Sequence, residues 1–130
     1  MKRKYLHIAM FRAMDCRYDE LENPPEMLAV FLSDANTYIW ADHKTADPAV
    51  QADFDKSMDS QNIGEEVDED TAYNAVKNFL AEQNVKFAEW STDVSCDKQK
   101  PYFVELFAGT PLAEWKKLCA LVTEEEESRS

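Results

Sequence analysis

The sequence predicts an α+β fold: a small, mostly antiparallel sheet of about three to four strands under a single layer of about four helices. Three observations predict it. Proline stands one residue after a capping residue at Asn23-Pro24, Asp47-Pro48 and Thr110-Pro111, which marks helix starts. Short apolar runs without helical spacing lie between those starts, as buried strands do. The composition, 45% hydrophobic and 31% charged over 130 residues, supplies a core for one domain. That domain is expected over residues 1–123, with 124–130 as a frayed acidic tail.

Lys4 to Phe11 is apolar on both faces and short, so a buried strand is expected. A helix is the alternative that Ala9, Met10 and Ala13 favour. His7 lies inside this run and reads as a packed core histidine. Asn23-Pro24-Pro25-Glu26 places Asn at the N-cap, Pro at N1 and Glu at N3, and Leu28, Phe31, Leu32 and Ala35 follow at helical spacing. Thr37 to Trp40 is β-prone and reads as a strand. A hairpin turning at Asp34-Ala35-Asn36 would instead make the preceding helix a strand.

Asp47-Pro48 opens a helix whose apolar stripe is Val50, Phe54 and Met58, thin enough for shallow docking. Asp68-Glu69-Asp70 suit the N-terminal dipole of the next helix, with Tyr73, Val76, Phe79 and Leu80 inward. Val85 to Thr92 and Pro101 to Phe107 read as two strands joined by a polar loop, Ser95 to Lys100. Thr110-Pro111 begins the last helix, with Leu112, Trp115, Leu118, Cys119 and Val122 inward. Glu124 to Glu127 would repel the helix's negative end, hence the expected fraying.

The basic start, Met1-Lys2-Arg3-Lys4, precedes an apolar stretch that is short for a signal core and closes at Arg12 and Asp15. No apolar run has the ~20 residues of a spanning helix. Cys16, Cys96 and Cys119 are scattered and odd in number, which suggests no disulfide framework. A cytoplasmic protein without membrane association is expected.

Glycine excludes more chemistry than any other residue type here. Typical usage of roughly 7% predicts about nine glycines. This chain has Gly64 and Gly109 only, so phosphate-cradling loops and the G-x-S-x-G nucleophile elbow are absent. His7, His43 and the three cysteines lack metal-ligand spacing. Residues 59–70 can be laid on a calcium loop with Gly64 at the turn. Ile63 then offers no ligand oxygen, and Asp70 is one carbon short of the bidentate Glu. No metal, cofactor or catalytic residue is expected. His43 with Asp42 or Asp47, or Glu89 with Glu105 across a hairpin, are the acid–base pairs the residue types permit.

The charge is uneven. Residues 42–70 hold ten acidic side chains against Lys44 and Lys56, a net of −8 out of −12, whereas residues 1–23 carry +1. So many carboxylates disfavour nucleic acid and anionic membranes and permit a basic protein partner. The leading expectation is a non-enzymatic binding domain, in the manner of an inhibitor, an immunity protein or a DNA mimic. Its contacts would be Asp53, Asp55 and Asp59, with Glu65, Glu66 and Asp68 behind them. Two alternatives stand beside it. One is a small enzyme or ligand-binding domain with Trp40, Trp90, Tyr102 and Glu105 lining a pocket on the sheet face. The other is an accessory subunit of an oligomer, marked by an exposed apolar patch.

Overall fold

A turn of 3₁₀ helix, Arg3–Tyr5, leads into six α-helices: α1 (Leu6–Tyr18), α2 (Glu26–Ala35), α3 (Pro48–Ser60), α4 (Glu69–Trp90), α5 (Tyr102–Ala108) and α6 (Leu112–Ser128). This computed structural model describes residues 1–94 and 96–129. Among them there is no β-strand. The nearest approach to one is an isolated antiparallel bridge between Lys2 and Glu66. The α+β expectation is therefore wrong, and the fold is all-helical.

Each misread segment has a physical reason. The run at Lys4 to Phe11 is apolar on every side because the start of α1 is enclosed among helices, with α1 packed against α2, α5 and α6. Leu6, Ala9, Met10 and Met14 are fully enclosed, and a helix buried all round shows no amphipathic stripe. At Pro101 to Phe107 the residues that are buried are Phe103, Leu106 and Phe107, spaced i, i+3, i+4. The apparent alternation concealed that stripe. Asn84 fixes the start of α5, with its Oδ1 accepting from the Phe103 backbone N–H at 3.0 Å and its Nδ2 donating to the Lys100 carbonyl at 3.1 Å.

Val85 to Thr92 is not a strand either, since α4 runs unbroken to Trp90. Gln83, Asn84, Phe87 and Ala88 continue the buried stripe of Phe79 and Leu80, and no glycine or proline interrupts it. Thr37 to Trp40 has no partner strand and forms part of the loop 36–47. The hairpin alternative for residues 24–36 fails as well, because α2 is helical throughout. Its cap differs from expectation: Pro25 is the N-cap residue, and Asn23 lies before it at φ 50°.

The expected cap at α3 forms as read, Asp68 (read only as charge for the dipole) caps α4, and at α6 the N-cap is Pro111 and not Thr110. Asp47 accepts from the Ala49 N–H at 2.9 Å, and Asp68 accepts from the Thr71 N–H at 2.8 Å. The core gathers Phe31 stacked on Phe103 at 4.6 Å, Phe54 edge-on to Phe79 and Phe107 edge-on to Trp115. Cys119 is buried there as a small apolar group, and burial pushes its thiol up to about 12. The acidic run Glu124–Glu127, expected to fray, lies inside α6. Among the described residues, no helix is long and apolar enough to cross a membrane.

Candidate functional site

The N-terminal segment runs antiparallel to residues 63–67. Arg3 N–H donates to the Glu65 carbonyl at 2.8 Å, and Val67 N–H donates to the Met1 carbonyl at 2.9 Å. The Arg3 guanidinium donates to the carbonyls of Ile63 and Asp55 and pairs with the Asp59 carboxylate at 2.8 Å. Between this segment, the loop 36–47 and the start of α3 opens a groove of about 760 Å³. Its lining is polar and of mixed charge, and it includes Lys2, Lys4, His7, Asp42, Asp55, Glu65, Glu66 and Glu126.

His7 is buried, with its ring edge-on to Phe54. Its Nε2 lies 2.9 Å from the His43 carbonyl. A carbonyl can only accept, so Nε2 carries the proton. Burial pushes His7 below its ordinary value of 6.5. The carbonyl bond and the carboxylates of Asp55, Glu126 and Asp42 oppose that shift without cancelling it.

The six residues expected to contact a partner fall into two sets. Asp55, Glu65 and Glu66 line the groove, and Asp59 stands beside it on Arg3. Asp53 and Asp68 are occupied inside the fold. Asp53 pairs with Lys86 at 2.6 Å and accepts from Gln83 at 3.1 Å, bonding α3 to α4. Burial opposes its ionisation, but those two bonds outweigh it and hold the carboxyl below its ordinary value. Asp68 caps α4, and the Thr71 N–H and hydroxyl hold its carboxyl down in the same way. Asp42, part of the acidic stretch 42–70 but not among those six, also lines the groove.

The acid–base pairs that the residue types permit do not form. His43 turns to neither Asp42 nor Asp47. Its Nδ1 lies 3.0 Å from Glu126 Oε2, and its backbone is held at φ 56°. Sequence reasoning misses Glu126 because it sits in a run that reads as a tail; its spacing of i, i+4 from Val122 on the inward face is the available signal. With no hairpin, Glu89 lies exposed on α4 and Glu105 exposed on α5. The aromatic pocket does not assemble on a sheet face. Trp90 lines a groove of about 120 Å³ with Met27, Val30 and Phe87, and Tyr102 and Glu105 line a different one with Arg17. Trp40 is exposed on the loop 36–47, with its indole N–H donating to the Ala46 carbonyl at 3.0 Å.

The calcium-loop residues are otherwise engaged, Asp59 with Arg3 and Asp70 with Lys116 at 3.0 Å. Among the described residues no three His, Cys, Asp or Glu side chains converge to hold a metal ion. Comparison with protein families, with curated proteins and with solved structures finds no match to this chain.

Proposed function

We propose that this chain is a non-enzymatic binding domain that presents the acidic surface of residues 42–70 to a basic protein partner across the groove above His7. One observation carries the reading. Asp42, Asp55, Glu65 and Glu66 are exposed at the groove, and among the described residues no Lys or Arg forms an ion pair with any of them. Of the groove's cations, Lys2 and Arg3 are engaged by Glu127 and Asp59, which leaves Lys4 and Lys44 against the four carboxylates. The surplus negative charge at the rim repels itself in the free chain, and a cationic surface relieves that repulsion.

The contact set narrows accordingly to Asp42, Asp55, Glu65 and Glu66. Tyr38, Ile39 and Trp40 are about half exposed on the loop that also carries Asp42, and they supply the large amphipathic side chains on which interface affinity concentrates. Affinity capture from the native host at low and high salt, followed by binding measurements with the purified partner, tests the reading. The D55K/E65K/E66K variant should lose at least about tenfold in affinity, mostly through a slower association rate that falls steeply with salt. The D53N variant should bind within about twofold of the unaltered chain, because Asp53 faces Lys86. Equal affinity of the reversed variant and the unaltered chain would overturn the proposal.

A further inference from the structure

Glu126 is the one buried carboxylate among the described residues, with its side chain 8% exposed. A buried carboxylate requires charged or hydrogen-bonding partners on both oxygens. Here they come from two directions. Glu126 Oε1 accepts from Arg129 Nη1 at 2.8 Å, and Oε2 lies 3.0 Å from His43 Nδ1. Arg129 Nη2 donates to the Ala41 carbonyl, and Nη1 also lies 2.9 Å from His43 Nδ1. One guanidinium is therefore held by a buried carboxylate, a backbone carbonyl and an imidazole nitrogen.

His43 Nδ1 cannot serve both neighbours at once. With a proton it donates to Glu126; without one it accepts from Arg129. A guanidinium in place favours the bare nitrogen, and its departure lets Nδ1–H turn to the carboxylate. The receptor thus has a satisfied arrangement when filled and another when empty. His7 and the Tyr38 ring, 5.1 Å from the His43 ring, hold the loop in position in either case. Arg129 itself is 43% exposed and reaches the receptor from a single turn beyond Glu126, so it can swing out without unfolding α6.

We propose that Glu126, His43 and the Ala41 carbonyl form a guanidinium-binding subsite, filled in the free chain by Arg129 and taken over by an arginine side chain of the basic partner. The exchange rests on the binding-domain reading above; the subsite itself does not. Glu126 lines the same groove as Asp42, Asp55 and Glu66, so an incoming arginine is drawn along a path of carboxylates to a receptor shaped for a planar fork. Because Arg129 is tethered, it competes at an effective concentration on the order of millimolar, and only a partner with several basic contacts displaces it.

The test uses methylguanidinium and methylammonium on the whole chain, followed by NMR of the His43 imidazole and the Trp40 indole. In R129A, and in R129Q as a second variant, methylguanidinium should shift the His43 signals with roughly millimolar affinity, about tenfold tighter than methylammonium. The unaltered chain should bind methylguanidinium about twofold more weakly than either variant, because Arg129 competes at a millimolar effective concentration against a ligand of roughly millimolar affinity. Thermal melts establish that both variants fold. If folded R129A and R129Q bind methylguanidinium no tighter than the unaltered chain, or no tighter than methylammonium, the subsite is overturned. A tri-arginine peptide at low salt should displace the Arg129 side-chain signals of the unaltered chain where a tri-lysine peptide does not. Methylguanidinium binding without that displacement overturns the exchange and leaves the subsite standing. An unchanged partner affinity in D55K/E65K/E66K, by contrast, overturns the binding-domain reading and the exchange that rests on it, and leaves the subsite standing.

Discussion

The two acidic regions of this chain resemble each other in sequence and differ in what the fold does with them. In the run Glu124–Glu127, three consecutive carboxylates meet cations: Glu125 pairs with Arg12, Glu126 with Arg129, and Glu127 with Lys2 at 2.8 Å. In residues 42–70 only some carboxylates are answered, and Asp42, Asp55, Glu65 and Glu66 face the groove without an ion pair among the described residues. The cations that distinguish the two regions come largely from one place. Lys2, Arg3 and Arg12 lie on the N-terminal segment and α1, and that stretch packs against the end of α6 along its length but touches residues 55–66 mainly through Arg3. A charge run is therefore a tail, a staple or a free surface according to which basic residues the fold delivers to it.

The largest effect should come from breaking the stapled region at its buried point. Glu126→Ala leaves His43 and Arg129 without their common partner and should cost about 2–3 kcal/mol in urea unfolding. A loss below about 0.5 kcal/mol would mean the run is only a solvated tail. Asp47→Ala should cost about 1 kcal/mol, because it removes the cap of α3 that holds the free acidic surface in place.

A smaller loss should follow from pH through His7, which underlies both regions. Its value is held below 6.5 in the fold, so above that pH both folded and unfolded chains carry it neutral. As pH falls through 6.5 the unfolded chain gains a proton that the native one refuses, and stability drops until His7 itself protonates. The urea midpoint should fall more between pH 7 and pH 5 in the unaltered chain than in His7→Gln. The smallest effect should be at the free surface: the E65Q/E66Q variant should stay within about 0.5 kcal/mol of the unaltered chain, or gain slightly as self-repulsion eases.

Part of this architecture is legible in the residues alone. The α3 cap, the acidic start of α4, the inward faces of both helices and the packed state of His7 and Cys119 all follow from local residue chemistry. The absence of a sheet does not, because short apolar runs carry no period that separates a buried helix from a strand. Of the expected contacts, Asp55, Glu65 and Glu66 reach the groove, while Asp53 and Asp68 belong to the same charge-dense stretch and are bonded inside the fold. Density alone cannot sort them, since Lys86 is 33 residues from Asp53.

Local chemistry along the chain sets where α3 and α4 begin, that the chain is polarised, and which nucleotide chemistries it lacks, since these depend on sequence neighbours and on residue counts. Tertiary contacts decide that the start of α1 is buried on every side, that Val85 to Trp90 extends α4, and which carboxylates stay free. They also decide that Glu126 is buried under His43. Those outcomes depend on contacts such as Arg12 with Glu125, 113 residues apart, and no local propensity encodes a partner at that distance.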